Sequence, residues 1–423
     1  MRHLCAFVVA ALIAGSAAAQ DCFDGLAIFP ASSSCCSNWG YGGIEQSGQD
    51  LFMGSDDGRI SVLRPNATGT MAQVQQVNAP SVSHLSANAD VLAVASATIT
   101  SNGQVLVYTK VAATGQYALT TTITSTQSGQ DFARRVAVSE DGNTLAVSAP
   151  GLSVTDAGKV SIYGRSPSGV WSLSGSLTVT GSKQLGTYLS FWGTRLAISE
   201  GASDKVHVFE RQATTYVLSA TVTTQVQGNY ARGIALSQDT LVIRSLSSAS
   251  GPADRYEIFE LMDDAWIRQT SLNLSGSLGF DFEYGVLAVS FLIGDTIQAR
   301  AYRKQGTSNE WANFFTGNST TGYTSYAGGI SVESDRLAIA MPDFSNSGCC
   351  SNGAAFLFDA VYVDCNANGK RDECDIAAGT SVDSNGNLTP DECENSCASD
   401  FNGDGIVDGA DLGRLLTDWG TCP

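Results

Sequence analysis

Val136-Ala137-Val138-Ser139-Glu140-Asp141-Gly142-Asn143-Thr144-Leu145-Ala146-Val147 joins a short β-rich run to a Leu-Ala-Val run across a polar turn. The phrase has six further copies, which makes it an internal repeat. They are Gly43-Ile44 to Leu51-Phe52-Met53, His84-Leu85 to Leu92-Ala93-Val94, Leu189-Ser190-Phe191 to Leu196-Ala197-Ile198, Ile234-Ala235-Leu236 to Leu241-Val242-Ile243, Phe282 to Leu287-Ala288-Val289, and Ile330-Ser331-Val332 to Leu337-Ala338-Ile339. Successive anchoring leucines lie 41, 53, 51, 45, 46 and 50 residues apart. A third run follows each anchor and alternates apolar with polar residues, as in Gly58 to Val62, Gly103 to Tyr108 and Gly158 to Tyr163. That period of two is the signature of a strand. A fourth β-rich run ends most units, for example Tyr117 to Thr124, Val170 to Thr180 and Tyr216 to Thr224. Four strands per unit and seven units predict an all-β fold, a seven-bladed β-propeller of four-stranded blades.

The seventh unit lacks a fourth run, because Gly353 to Val363 leads straight into an acidic segment. Leu26-Ala27-Ile28-Phe29, ahead of the first unit, is expected to supply the missing outer strand and close the ring. Ser34-Cys35-Cys36-Ser37-Asn38 and Gly348-Cys349-Cys350-Ser351-Asn352 repeat one phrase in the two segments that must then meet. At least one disulfide between these pairs is expected, the alternative being that each bonds elsewhere. Five cysteines of the acidic segment (365, 374, 393, 397, 422) and five of the propeller segment (22, 35, 36, 349, 350) are both odd sets, so full pairing needs a bridge between them. Cys22 and Cys365 are the expected couple.

Residues 1–19 read as a signal peptide, with Met1-Arg2-His3 as the basic region, Leu4 to Ala14 as the apolar stretch and Ala17-Ala18-Ala19 before the cut. The apolar stretch is too short to cross a bilayer, so the expectation is a secreted protein, extracellular or associated with the cell surface, with no membrane span. Domains are expected at 20–363 for the propeller and 364–423 for a cysteine-containing tail. The 423 residues carry 41 acids against 23 bases, a formal charge of -18, which disfavours nucleic acid as a partner. Thirteen of those acids and three of the bases fall between Asp364 and the C-terminus. Only three histidines occur, His3, His84 and His207, which leaves little material for histidine-based metal catalysis.

Phe132-Ala133-Arg134-Arg135-Val136-Ala137 followed by Leu145-Ala146-Val147-Ser148-Ala149-Pro150 resembles the FG-GAP repeat of integrin α-type propellers. Leu185-Gly186, Tyr230-Ala231, Leu278-Gly279, Tyr326-Ala327 and Ala340-Met341-Pro342 are weaker echoes. The likeness covers residues 21 to 363 and implies the propeller fold. Integrin-type blades can carry Asp-rich calcium loops, and none is seen here: Ser55-Asp56-Asp57-Gly58 reads as a tight turn.

Calcium takes six to eight oxygens, which one tightly turned loop supplies when carboxylates and amides alternate and a carboxylate stands at position twelve. The tail repeats that spacing three times. One set is Asp400, Asn402, Asp404, Ile406 through its carbonyl, Asp408 and Asp411, followed by an amphipathic segment, Leu412 to Trp419. A second is Asp364, Asn366, Asn368, Asp372 and Asp375; a third is Asp383, Asn385, Asn387, Asp391 and Glu394, with Leu388 where the turn favours glycine. The expected cofactor is Ca2+. The tail resembles dockerin and EF-hand-like modules, most clearly over residues 400 to 420, and its first half resembles thrombospondin type 3 repeats. The dockerin likeness implies a cohesin-like partner, although Gly409 and Ala410 stand where dockerins carry small hydroxyl residues.

Trp39, Tyr41, Phe132, Tyr188, Tyr230, Phe280, Tyr323 and Tyr326 recur at or just before the first strand of a unit, a period that predicts inter-blade packing rather than a binding rim. His84 aligns with Ala137, Ala235 and Ser331, and His207 sits in a third strand; neither has an evident catalytic partner. No catalytic residue is assigned. Two functions are carried forward: a non-catalytic binding or scaffold module for an extracellular protein or polysaccharide, and an extracellular carbohydrate-active enzyme bearing a dockerin-like tail. Paired carboxylates about 5 to 9.5 Å apart in a cleft would favour the enzyme.

Overall fold

The computed structural model describes residues 26–28, 43–55, 57–66, 71–96, 103–125, 131–225, 231–245, 254–293, 296–304, 311–318, 329–333, 336–341, 353–359, 379–382 and 391–393. The chain divides into two compact units, Phe23–Val361 and a second formed by Met1–Cys22 with Tyr362–Pro423. In the second unit the described residues include a single turn of 310 helix, Asp391–Cys393, whose first amide donates to the Val382 carbonyl at 2.7 Å.

The first unit holds seven four-stranded antiparallel sheets. Strand β1 is Leu26–Ile28. Blade one is β2 (Ile44–Ser47), β3 (Asp50–Gly54), β4 (Arg59–Pro65) and β5 (Met71–Asn78), and blade two is β6 (His84–Asn88), β7 (Val91–Ser96), β8 (Gln104–Val111) and β9 (Gln116–Thr124). Blade three is β10 (Val136–Val138), β11 (Thr144–Ala149), β12 (Lys159–Arg165) and β13 (Trp171–Leu177), and blade four is β14 (Leu185–Trp192), β15 (Arg195–Glu200), β16 (Lys205–Gln212) and β17 (Thr215–Thr223). Blade five is β18 (Ala231–Ser237), β19 (Thr240–Ser245), β20 (Arg255–Met262) and β21 (Ala265–Asn273), and blade six is β22 (Ser277–Glu283), β23 (Val286–Ile293), β24 (Thr296–Lys304) and β25 (Trp311–Asn318). Blade seven is β26 (Gly329–Glu333), β27 (Arg336–Met341) and β28 (Ala354–Asp359), completed by β1, which pairs Leu26 with Leu357 and Ile28 with Ala355. The N-terminal segment therefore closes the ring as its sequence predicts. First strands of neighbouring blades touch all the way round, including blade seven against blade one, so they form a closed inner ring.

The Leu-Ala-Val phrase has a physical reading. In a strand, alternate side chains face opposite sides, and each second strand is buried on both. Leu92 and Val94 join a cluster with Phe52, Ile60 and Val62 of the preceding blade, while Ala93 faces the following one. Leu145 and Val147 likewise pack backward and Ala146 forward; Leu196 and Ile198 backward and Ala197 forward. Large residues thus fill the interface behind each blade, and the small central one accepts the bulk of the next. Blade one departs from this, with Phe52 in the central position. Its ring meets Tyr117 of blade two edge-on, at 5.2 Å between centroids and 84° between planes.

Burial falls off radially, from the second strands to the largely exposed outer strands β9, β13 and β17. Between third and fourth strands a register shift recurs in blades one to six, at Val62/Leu63, Val107/Tyr108, Ile162/Tyr163, Val208/Phe209, Ile258/Phe259 and Ala301/Tyr302. Such bulges increase local twist. The glycines that open the third strands of blades one to three mark another repeated contact. A Cβ on Gly58, Gly103 or Gly158 would lie 2.0, 1.8 or 2.4 Å from the carbonyl oxygen of Ala79, Phe132 or Leu185. The segment entering the next blade presses directly on these α-carbons.

Candidate functional site

Antiparallel order places the start of every first strand, the loops between second and third strands and the entries from one blade to the next on a single face. Four first-strand side chains there hold the ring together by one repeated bond. The Ala87 amide donates to Glu45 Oε1 at 3.3 Å, Val138 N to Ser86 Oγ at 3.0 Å, Leu236 N to Ser190 Oγ at 2.9 Å, and Val332 N to Asp281 Oδ2 at 2.8 Å. Two carboxylates therefore do the work of serines. Burial first, then the charge of Asp281, with smaller contributions from Glu333 and Glu283, pushes the Glu45 carboxyl well above its usual range; the Ala87 amide only partly offsets this. Burial also raises Asp281, against the amides of Val332 and Phe282. Glu333 in turn accepts from Gly48 N at 2.6 Å.

One level earlier, at the loop-face mouth of the ring, four blades carry glycine: Gly43, Gly233, Gly279 and Gly329. Blades two, three and four carry His84, Arg135 and Tyr188 instead. This corrects the sequence alignment of His84, which pairs across its sheet with Ala95; Ala137, Ala235 and Ser331 lie two positions deeper, level with Ser86. The irregular lengths before each first strand hid that register. Burial, then the nearby Arg135 charge, drives the His84 imidazole down to about 3, against a bond to the Val136 backbone. The Arg135 guanidinium lies 5.2 Å from the Tyr188 ring centroid. Burial lowers its pKa, partly offset by Tyr188.

His207, for which the sequence shows no catalytic partner, has two hydrogen-bond partners in the fold. Its Nε2 is 2.7 Å from Glu200 Oε1 and its Nδ1 is 3.0 Å from Thr221 Oγ1. Glu200 Oε2 also accepts from Ser203 Oγ at 2.6 Å and Lys183 N at 3.1 Å. The pair is 3% exposed on each side and clamps two loops of blade four. Glu200 lies at the end of one strand and His207 inside the next, a proximity visible only once both strands are aligned.

Of the recurring aromatics, Phe132 is buried in the cluster between blades two and three, Phe280 packs edge-on to Tyr256 at 5.2 Å, and Tyr188 packs against the cluster between blades four and five. Trp39, Tyr41, Tyr230, Tyr323 and Tyr326 lie outside the described residues, as do residues 1–19, Phe29 and the cysteines proposed to pair. The same holds for Asp364, Asn366, Asn368, Asp372, Asp375, Asp383, Asn385, Asn387, Glu394, Asp400, Asn402, Asp404, Ile406, Asp408 and Asp411. Asp391 alone of the expected calcium ligands is described, at the start of the 310 turn, where the neighbouring Glu392 accepts from Ser381 Oγ. Among the described residues, no group of three or more His, Cys, Asp or Glu side chains is placed to hold a metal, and no helix is long and apolar enough to cross a membrane. Ser55 and Asp57 close the expected tight turn, with Gly58 N donating to Ser55 O at 3.2 Å.

No family model matches the sequence, and no curated protein does. Solved structures do match in fold. The β-propeller domain of Cps50 (Swd1) from Myceliophteria thermophila aligns over 79% of this chain and all of its own length, at 10% identity and a TM-score of 0.54. A putative 6-phosphogluconolactonase from Bacteroides uniformis aligns over 66% of this chain and 84% of its own, at 15% identity and a TM-score of 0.50. Identities this low establish a shared propeller fold and nothing about chemistry.

Proposed function

We propose that this is a secreted calcium-binding protein whose propeller acts as a non-catalytic binding or scaffold module through its loop face, toward an extracellular protein or polysaccharide. The observation that carries the reading is the threefold calcium spacing at Asp364, Asp383 and Asp400. One such spacing is a weak signal; three in 60 residues, with 13 acids, are explained by ligands and not by a solvated acidic run. Three first-strand acids, Glu45, Asp281 and Glu333, already accept from backbone amides, which supports a structural use of those carboxylates over a hydrolytic one.

An FG-GAP-type ancestry is supported by Phe132-Ala133. Ala133 is fully buried with φ at 64°, a left-handed conformation that suits glycine. The Phe-Gly form of the motif would adopt it without strain. The dockerin-like reading of residues 400 to 420 makes a cohesin-like partner part of the same proposal.

Equilibrium dialysis of the full, chelator-treated chain against calcium tests it. Uptake of about three ions per chain is expected. The paired substitutions Asp400→Ala and Asp404→Ala should remove one of them. No uptake at millimolar calcium would overturn the reading.

A further inference from the structure

On the rim opposite the loop face, where third strands turn into fourth strands, one blade interface differs from its neighbour. Between blades one and two the gap is bridged by a side-chain amide: Gln75 Nε2 donates to Tyr117 O and Tyr117 N donates to Gln75 Oε1, both at 2.7 Å. Gln75 lies opposite Val62, the last residue before the register shift of its blade, and Thr121 lies opposite Val107, the same place in blade two. Tyr117 lies opposite Lys110, and its counterpart in blade three, Trp171, lies opposite Arg165. Blade two thus carries threonine where blade one carries the bridging glutamine, and the shorter side chain makes no such bridge.

A groove of about 510 Å³ stands open at this interface, and its lining includes Thr109, Thr120, Thr121, Arg165, Ser168 and Val170. That volume is within the range of small-ligand sites. Its walls are accessible, with Thr120 and Ser168 exposed and Val170 62% exposed. Thr120 Oγ1 donates to Val107 O at 3.0 Å, so its 3.2 Å bond with Thr109 Oγ1 uses the Thr109 proton and leaves Thr109 able to accept another. Arg165 adds no free charge, because Asp90 holds its guanidinium with both oxygens at 2.7 and 3.0 Å. Arg165 N donates inward to Asn143 O at 2.9 Å, so Trp171, opposite it in the ladder, turns its amide and carbonyl to the outer edge. Those are the two groups that Tyr117 gives to Gln75.

We infer that the groove between blades two and three binds a neutral sugar chain through a vicinal diol. One sugar hydroxyl would accept from the Trp171 amide while its neighbour donates to the Trp171 carbonyl, as the two ends of the Gln75 amide do for Tyr117. The remaining hydroxyls would bond to Thr109, Thr121 and Ser168, and the apolar face of the ring would rest on Val170. A purely apolar ligand would leave these hydroxyls and the Trp171 edge without partners. An anion would find no free cation in the groove, on a chain whose formal charge is -18. The site lies on the opposite rim from the loop face and requires neither that face nor calcium; it shares with the proposed function only the kind of partner.

The test is isothermal titration of the full chain with cellotetraose and with maltotetraose, each also offered after periodate cleavage and borohydride reduction, which destroy its vicinal diols. Saturable binding of at least one intact sugar is expected, with its cleaved form about tenfold weaker or more. Thr121→Gln should rebuild the bridge of blade one, weaken the sugar by at least about tenfold and leave the melting temperature unchanged or higher. The double variant Thr109→Val with Thr121→Val, which keeps the shape and removes two hydroxyls, should also weaken it. Binding of neither sugar, equal affinity for the cleaved form, or unchanged affinity in both variants would overturn the inference. Failure here alongside normal calcium uptake would leave the broader proposal standing.

Discussion

Single residues in this ring are tied to partners roughly one blade away in sequence. Asp50 is the clearest case: buried at the foot of blade one, it accepts from Arg64 Nε at 2.5 Å, Lys110 Nζ at 2.6 Å and Tyr117 Oη at 2.9 Å, the last two from blade two. Burial alone would raise its pKa, but the donors of Arg64, Lys110 and Tyr117 outweigh it and hold the carboxyl below its ordinary range. Asp50→Ala should destabilise the protein by about 2 to 4 kcal/mol, read by chemical denaturation, the two cations being partly solvated. A depressed carboxyl stabilises the fold above its unfolded pKa, and that contribution should disappear as the pH falls through the folded value.

Glu45 behaves in the opposite sense. Its folded pKa lies well above 4.5, so the folded state holds more protons than the unfolded one from about that pH upward, and stability falls as the pH rises through this window. Glu45→Gln keeps an acceptor for the Ala87 amide. It should raise the melting temperature at pH 8 by a few degrees and have little effect near pH 4. Equal effects at both pH values would show that the carboxyl is not perturbed.

At the scale of the strand, the alternation of Leu-Ala-Val was readable because one period governs both burial and repeat. The copies at Leu92, Leu145 and Leu196 are what the inter-blade clusters are built from. What single-strand patterns could not reveal were contacts between blades: the bidentate pair of Arg165 with Asp90 at 2.7 and 3.0 Å, the Lys304 to Glu260 bond at 2.7 Å, and the level of His84 with Arg135. Those partners are 75, 44 and 51 residues apart, and charge spacing along the chain says nothing about them. The third-strand glycines were legible as turn residues but not as points of close approach. Gly158 has φ at 74°, and a Cβ would also lie 2.5 Å from Leu185 N, so backbone would have to move. Gly158→Ala should cost about 3 kcal/mol or more in thermal or denaturant unfolding, whereas Gly169→Ala, in open space, should cost only its backbone strain of about 1 kcal/mol.

For the whole molecule, closure by β1 links the two ends of the propeller into one cooperative ring. Removing residues 1–28 would leave β28 as an unpaired edge in the blade that seals the ring. Such edges recruit other chains, so the truncated protein should unfold at lower temperature and self-associate, as sedimentation would show. The tail's charge, ten of the net eighteen negatives, belongs to a different unit from the propeller. The proposal accordingly divides labour: calcium in the tail, ligand on the propeller. A binding array of glycans and secreted proteins probed with the full chain, with and without EDTA, tests that division most directly. Propeller binding that survives EDTA is the expected result; binding that vanishes when calcium is removed would contradict it.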